Sequence, residues 1–246
     1  MRKLQILAAL GLLLPLQAFA TTISWDSGSS DYIGSRSSAT GEVACSAGDH
    51  CADSQSWTGG VLESLTITAD AYEPTGLGST ALVLWHDQVP ALGGLGGAPS
   101  SELGDASKDN NQDSESIHIN FDSAVTVNTL FFNGDHIAYS GFIFVHLFSG
   151  STLIGVIDEV LNNGVLDIAS NIIFRGGHDA SDLGSITDLF IEPDISHCGP
   201  IVDGECTETV EWYLSGITFV PEPATLALLG LGLAGLGFSR RRKVKA

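Results

Sequence analysis

Positive charge is nearly missing from the middle of this 246-residue chain: between residues 21 and 220 the only fixed cations are Arg36, Lys108 and Arg175. Against them stand 28 of the 29 carboxylates, a formal charge of −25 over that stretch. A surface of this sign repels nucleic acid and anionic membrane, so nucleic acid is not expected as a partner. Helical signal is missing too, since no long stretch carries an apolar stripe at three- and four-residue spacing. Enzyme signatures are also absent: there is no G-x-S-x-G elbow, no H-E-x-x-H and no phosphate-binding loop. Gly76-Leu77-Gly78-Ser79-Thr80-Ala81 imitates a dinucleotide fingerprint. It lacks the strand before and the helix after, and runs into Ala81-Leu82-Val83-Leu84-Trp85, which itself reads as a strand. The expectation is a protein that is not an enzyme. A secreted hydrolase stands as second alternative, because glycoside hydrolysis needs only two carboxylates at the right separation.

Cysteine is scarce, with four residues in two close pairs, Cys45 with Cys51 and Cys198 with Cys206. Four cysteines allow three pairings, and proximity favours two local disulfides in an oxidising compartment. His50 and His197 sit beside cysteines, so a zinc site is the other use of the same residues.

The two ends differ from the body. Met1-Arg2-Lys3 leads into an apolar run from Leu4 to Leu16 and then Ala18-Phe19-Ala20. A charged head, a short apolar middle and an A-x-A exit make a secretory signal peptide over residues 1–20, removed by signal peptidase to leave Thr21 first. At the other end Ala224 to Phe238 carries no charge, and Arg240, Arg241, Arg242, Lys243 and Lys245 follow. As a helix those residues reach about 22 Å at about 1.5 Å per residue, short of a hydrocarbon core of about 30 Å. Snorkelling arginines narrow the gap, and the basic cluster keeps the last residues cytoplasmic and the body outside. A short span laced with Gly230, Gly232, Gly235 and Gly237 suits transient insertion in the inner membrane better than permanent anchoring.

Val220-Pro221-Glu222-Pro223-Ala224-Thr225-Leu226-Ala227-Leu228-Leu229-Gly230, closed by Arg240-Arg241-Arg242-Lys243, resembles the PEP-CTERM sorting domain. The resemblance covers residues 221–246 with Val220 before them. It implies export by a Gram-negative bacterium and processing by an exosortase-type membrane transpeptidase. It also implies a place at the cell surface or outside the cell, in association with biofilm exopolysaccharide. A simple C-terminal membrane anchor is the alternative use of the same segment.

Residues 21–220 suffice for one β-domain with a full core. Ser116-Ile117-His118-Ile119-Asn120-Phe121 alternates cleanly, with Ile117, Ile119 and Phe121 on one face and His118 and Asn120 on the other. Leu65-Thr66-Ile67-Thr68-Ala69 repeats the pattern. Further strands are expected at 125–132, 142–148, 153–157, 172–174, 186–191 and 210–219. Asn133-Gly134, Ser149-Gly150 and Asn163-Gly164 read as hairpin turns. The expected fold is all-β, a single antiparallel sandwich of jelly-roll type. It is flanked by the signal-peptide helix and a short C-terminal transmembrane sorting helix.

Pro90 to Glu115 reads as one long connection, opening with Gly93-Gly94-Leu95-Gly96-Gly97, and is the place to look for a site. Asp105, Asp109, Asn111, Asp113 and Glu115 crowd carboxylate and amide oxygens together, which suits calcium. Ser114 stands where an EF-hand has glycine and Asn120 where it has glutamate, so this is not an EF-hand. Asp135 or Glu102 would complete the shell, and a hydrated acidic loop is the alternative. Asp109-Asn110, Glu115 and Ile117 to Asp122 loosely resemble a pattern in the bodies of other PEP-CTERM proteins, with no activity attached. Trp57, Trp85, Tyr139, Trp212 and Tyr213 are the rings available to a carbohydrate-binding module, the first alternative function. Core packing is the competing use of each ring, and Trp85 and Trp212 lie within strand patterns.

Overall fold

A computed structural model describes residues 20–34, 36–45, 49–72, 82–87, 93–99, 116–134, 137–138, 141–161, 164–193, 201–202, 205–206 and 212–221. The chain enters through β1 (Thr21–Ser24), β2 (Ser38–Thr40), β3 (His50–Ala52), β4 (Ser54–Thr58) and β5 (Thr66–Tyr72). β6 (Leu82–Asp87), β7 (Gly94–Pro99), β8 (Ser116–Gly134), β9 (Ile137–Ala138), β10 (Gly141–Ser149) and β11 (Thr152–Leu161) follow. β12 (Val165–Asp167) leads into a one-turn helix, α1 (Ile168–Asn171), whose Ser170 backbone N–H donates to the Asp167 carboxylate at 2.8 Å. The remaining strands are β13 (Ile173–Phe174), β14 (Ile186–Pro193), β15 (Ile201–Val202), β16 (Glu205–Cys206) and β17 (Tyr213–Pro221). Every pairing between these strands is antiparallel, and β15 with β16 stands apart as a two-stranded ribbon. Among the described residues no helix is long and apolar enough to cross a membrane. Residues 1–19 and 222–246, where signal-peptide and sorting helices are expected, lie outside the described residues.

The long strand β8 organises the rest. Its first half pairs with β5 on one edge (Ala71 opposite Ile117) and with β14 on the other (Ile191 opposite Ile117). Its second half pairs with β17 (Thr218 opposite Thr129) and with β12 (Asp167 opposite Thr129). From β14 the sheet continues through β10 and β11 to β13, and from β5 through β4 to β2. From β17 it continues through β7 and β6 to β3, while β1 lies beside the end of β17.

Two strands expected separately, 116–121 and 125–132, are thus one. Ile117, Ile119, Phe121, Val125 and Val127 are buried at odd positions, then Leu130 and Phe132 at even ones. The register explains the switch: Thr218 faces Thr129 but Phe219 faces Val127, so Asn128 is the extra residue of a bulge and flips the faces. Side chains from both halves of β8 join one apolar cluster that also holds Ile23, Trp57, Ile67, Leu95, Trp212 and Ile217.

The glycine-rich opening of the expected long connection is a correction. Gly94–Pro99 is strand β7, paired along its length with β6, with Leu95 opposite Leu214 of β17. Close approach explains the composition: a Cβ on Gly94 would sit 2.8 Å from both the Leu214 carbonyl oxygen and the Tyr213 Cβ. Gly94 therefore lets three strands close up rather than letting a loop wander. Asn133-Gly134 is the second correction, because both residues belong to the end of β8 and pair with Ala138 and Ile137. Ser149-Gly150 does lie at the tip of the β10–β11 hairpin, with Gly150 at φ 56°.

The large rings fill the interior. Trp57, Trp85, Trp212 and Tyr213 are all at most 1% exposed, so none is a surface platform, and Tyr139 lies outside the described residues. Trp25 meets Trp57 edge-on with centroids 5.5 Å apart, and Trp57 meets His86 edge-on at 5.8 Å. Such T-shaped contacts place the ring edge of one residue on the electron-rich face of the next.

Candidate functional site

The face of the sheet opposite the core, across β5, β8, β14 and β10, carries the densest set of interacting polar groups among the described residues. Strand alternation puts it there: Ile117 and Ile119 point inward, so His118 and Asn120 point outward, and the same parity turns out Asp188, Phe190, Phe144 and His146. Register then lines these residues up across strands. One row runs Asp70, His118, Phe190, His146. Beside it Asn120 faces Asp188 and Asp188 faces Phe148, while on the other side Phe144 faces Glu192. All of these side chains are half-buried.

His118 is the hub. Its Nδ1 lies 3.0 Å from Asp70 Oδ1 and its Nε2 2.9 Å from Asp188 Oδ1, so one imidazole joins three adjacent strands. Phe190 stacks on the ring at 4.2 Å with planes 11° apart. Asp188 also accepts from Asn120 Nδ2 at 2.9 Å and from the Thr187 hydroxyl at 2.7 Å. Next to this triad the Tyr72 hydroxyl donates to Glu192 Oε1 at 2.6 Å, and His146 Nδ1 lies 4.0 Å from the same oxygen. Phe148 and Tyr72 both meet Phe190 edge-on, at 5.3 and 5.4 Å.

The protonation states follow from these contacts. Burial disfavours a charged His118, but hydrogen bonds to Asp70 and Asp188, and their charges, outweigh it and raise its pKa above the usual histidine value. As the imidazolium, His118 donates from both nitrogens at once, which the neutral ring cannot do. Burial also works against an ionised Asp188; the hydrogen bonds from Asn120, Thr187 and His118 overcome this and hold its pKa below the usual carboxylate range. Burial pushes the Tyr72 hydroxyl strongly up, with Glu192 adding to the effect, so the phenol stays protonated. Burial lowers the pKa of His146, with Glu192 only partly opposing it. The face therefore combines carboxylates that accept hydrogen bonds, a histidine whose charged form they favour and a set of ring edges.

The residues singled out from sequence fall elsewhere. Val220 and Pro221 are the last residues of β17, while Glu222, Pro223, Arg240, Arg241, Arg242 and Lys243 lie outside the described residues. Asp105, Asp109, Asn111, Asp113 and Glu115, with Glu102 and Asp135, also lie outside them. Among the described residues no three histidine, cysteine or carboxylate groups are arranged to hold a metal ion. Cys45 and Cys51 form a disulfide that ties the approach to β3 onto that strand, with Cα atoms 6.1 Å apart. Cys206 belongs to β16, and Cys198 lies outside the described residues. Sequence reasoning placed His118 outward but missed its partners, Asp70 and Asp188, which are 48 and 70 residues away and meet it only through strand register.

Comparison with known proteins identifies one segment. Residues 219–243 match the family model described as the PEP-CTERM protein-sorting motif. No curated protein and no solved structure matches the chain. The chain thus carries a PEP-CTERM sorting motif at residues 219–243, and such a motif marks an exported protein sorted by an exosortase.

Proposed function

We propose that this chain is a non-enzymatic protein of the cell surface or extracellular matrix, a single acidic β-domain delivered by its sorting tail. The match at residues 219–243 carries the reading, because it ties the chain to export and tail processing. The body is read as a sandwich of jelly-roll type, its layers being the two half-sheets that diverge along β8. The edge-on contact of Trp57 on β4 with His86 on β6, strands of different half-sheets, supports this. The formal charge of −25 over residues 21–220 supports a role in a hydrated matrix, where like-charged chains stay apart. Deleting residues 222–246 tests the delivery: the shortened chain should accumulate at a different place from the full chain when cells are fractionated. Identical distribution of the two would overturn the reading.

A second reading rests on the outer sheet face. Phe144, Phe148, Phe190 and Tyr72 set ring edges among the carboxylates of Asp70, Asp188 and Glu192, the mixture by which sheet faces hold sugars. On this reading the body binds exopolysaccharide. Retention of the purified body on the host's own exopolysaccharide, lost in Phe148→Ala and kept in the exposed control Val61→Ala, would support it. Equal retention of the two variants would remove it.

A further inference from the structure

The central sheet takes in the first residues of the sorting motif. β17 runs to Pro221 whereas the motif begins at Phe219, so Phe219, Val220 and Pro221 belong to both. Phe219 is fully buried and packs on Phe121 with centroids 5.9 Å apart. It is held on both sides, opposite Val127 of β8 and opposite Thr21 of β1. One residue earlier, the Thr22 and Thr218 hydroxyls meet at 2.9 Å. Val220 and Pro221 continue the ladder opposite Thr126 and Val125.

These observations bear on how a processing enzyme reaches the motif. An enzyme that reads a peptide in extended form pairs with its main chain and takes alternate side chains into pockets. Here β8 already occupies one edge of Val220 and Pro221. Fraying can free those two residues, but it stops at Phe219, whose release would open the core. The matched segment begins within β17, so no linker separates that strand from the motif.

We infer that the folded body of this protein sequesters the start of its own sorting signal. Tail removal then proceeds through a state in which the C-terminal end of β17 is unpaired from β8, so folding and processing compete for the same residues. The device makes docking of the last strand a control on when the tail is lost. The inference rests on the proposed sorting role, and its test separates the two.

Six Gly/Ser residues inserted between Phe219 and Val220 leave Phe219 in the core and Val-Pro-Glu-Pro intact, while moving Val220 and every matched residue after it off the strand. Pulse-chase in the native host should show the tail lost faster from the insertion variant than from the natural chain, by roughly tenfold if one backbone hydrogen bond must open. The same insertion after Gly150, in the β10–β11 turn, should leave the rate unchanged. Equal rates for the natural chain and the Phe219–Val220 insertion would overturn the inference. A second variant guards against loss of fold. Thr126→Cys with Val220→Cys can be locked oxidised or released by reductant; because Val220 belongs to the motif, both forms are compared with Val220→Cys alone, and host membranes should process only the reduced form at that variant's rate. Equal processing of both forms would also overturn the inference. Tail retention in every form, natural chain included, would instead refute the sorting role itself.

Discussion

His86 offers the sharpest test of how the interior is built. It lies on β6, is fully buried, and its Nε2 donates to the Trp25 carbonyl at 3.1 Å. Trp57 closes on the ring edge-on at 5.8 Å, and His50 and Tyr32 lie at 6.4 and 6.5 Å. Burial is the main cause that lowers its pKa, to about 4, with His50 and Arg36 adding to the effect and the Trp25 hydrogen bond opposing it. In the unfolded chain the value returns to about 6.5. The sign is fixed by proton counting: between these values the unfolded chain binds a proton that the folded chain refuses, so stability falls as pH drops below about 6.5. Between pH 7 and pH 4.5 the loss from this one residue is on the order of 2 kcal/mol. Urea unfolding of the natural chain and of His86→Gln at both pH values isolates it, since every other titrating group is common to the pair. The natural chain should lose roughly 2 kcal/mol more than the variant on acidification. Parallel losses would mean that His86 is hydrated or already charged, and the account of the interior would fail.

Three further outcomes are expected. His118 has the opposite linkage: its raised pKa gives stability that is fully present below about 6.5 and fades as pH rises through the folded value. NMR titration should place its pKa above that of a model histidine and bring it down in Asp188→Asn; an unmoved value would remove the triad as the cause. Reducing the Cys45–Cys51 disulfide, whose partners are six positions apart, should lower unfolding free energy by about 2 kcal/mol, as loop-closure entropy predicts. No change would mean that the denatured state gains no freedom there. Thermal unfolding of residues 21–220 in calcium and then in EDTA tests the acidic segment. A site at 100-fold saturation should add about 2.7 kcal/mol, with the gain lost in Asp109→Ala and Asp113→Ala, and matched curves would leave a hydrated loop.

Period-two alternation made the core face of β8 legible, because Ile117, Ile119 and Phe121 are all buried as their spacing demands. Alternation could not reveal that β8 continues past Asp122, since the next inward position is Ser123, which is polar and exposed, and the lapse reads as the end of one strand and the start of another. Gly94 of β7 misled for a physical reason: glycine signals a turn in isolation, while here it answers the approach of Leu214 and Tyr213 from a strand far along the chain. Tryptophan is similarly ambiguous, being equally suited to a sugar platform and to a core, and only burial decides. The outer-face cluster was legible by half, in the outward turn of His118 and Asn120. Its chemistry depends on register between β5, β8 and β14, which no local pattern encodes. The sorting signal was legible because its information is local: a short motif, an apolar run and a basic end, in order.

The most direct test of the account is the intact mass of the protein recovered from its native host. The signal peptide expected over residues 1–20 and sorting through the motif at residues 219–243 together predict a chain that begins near Thr21 and lacks the residues after about Glu222, whatever group the transfer adds there. A mature chain that still ends in Arg240-Arg241-Arg242-Lys243 would contradict it.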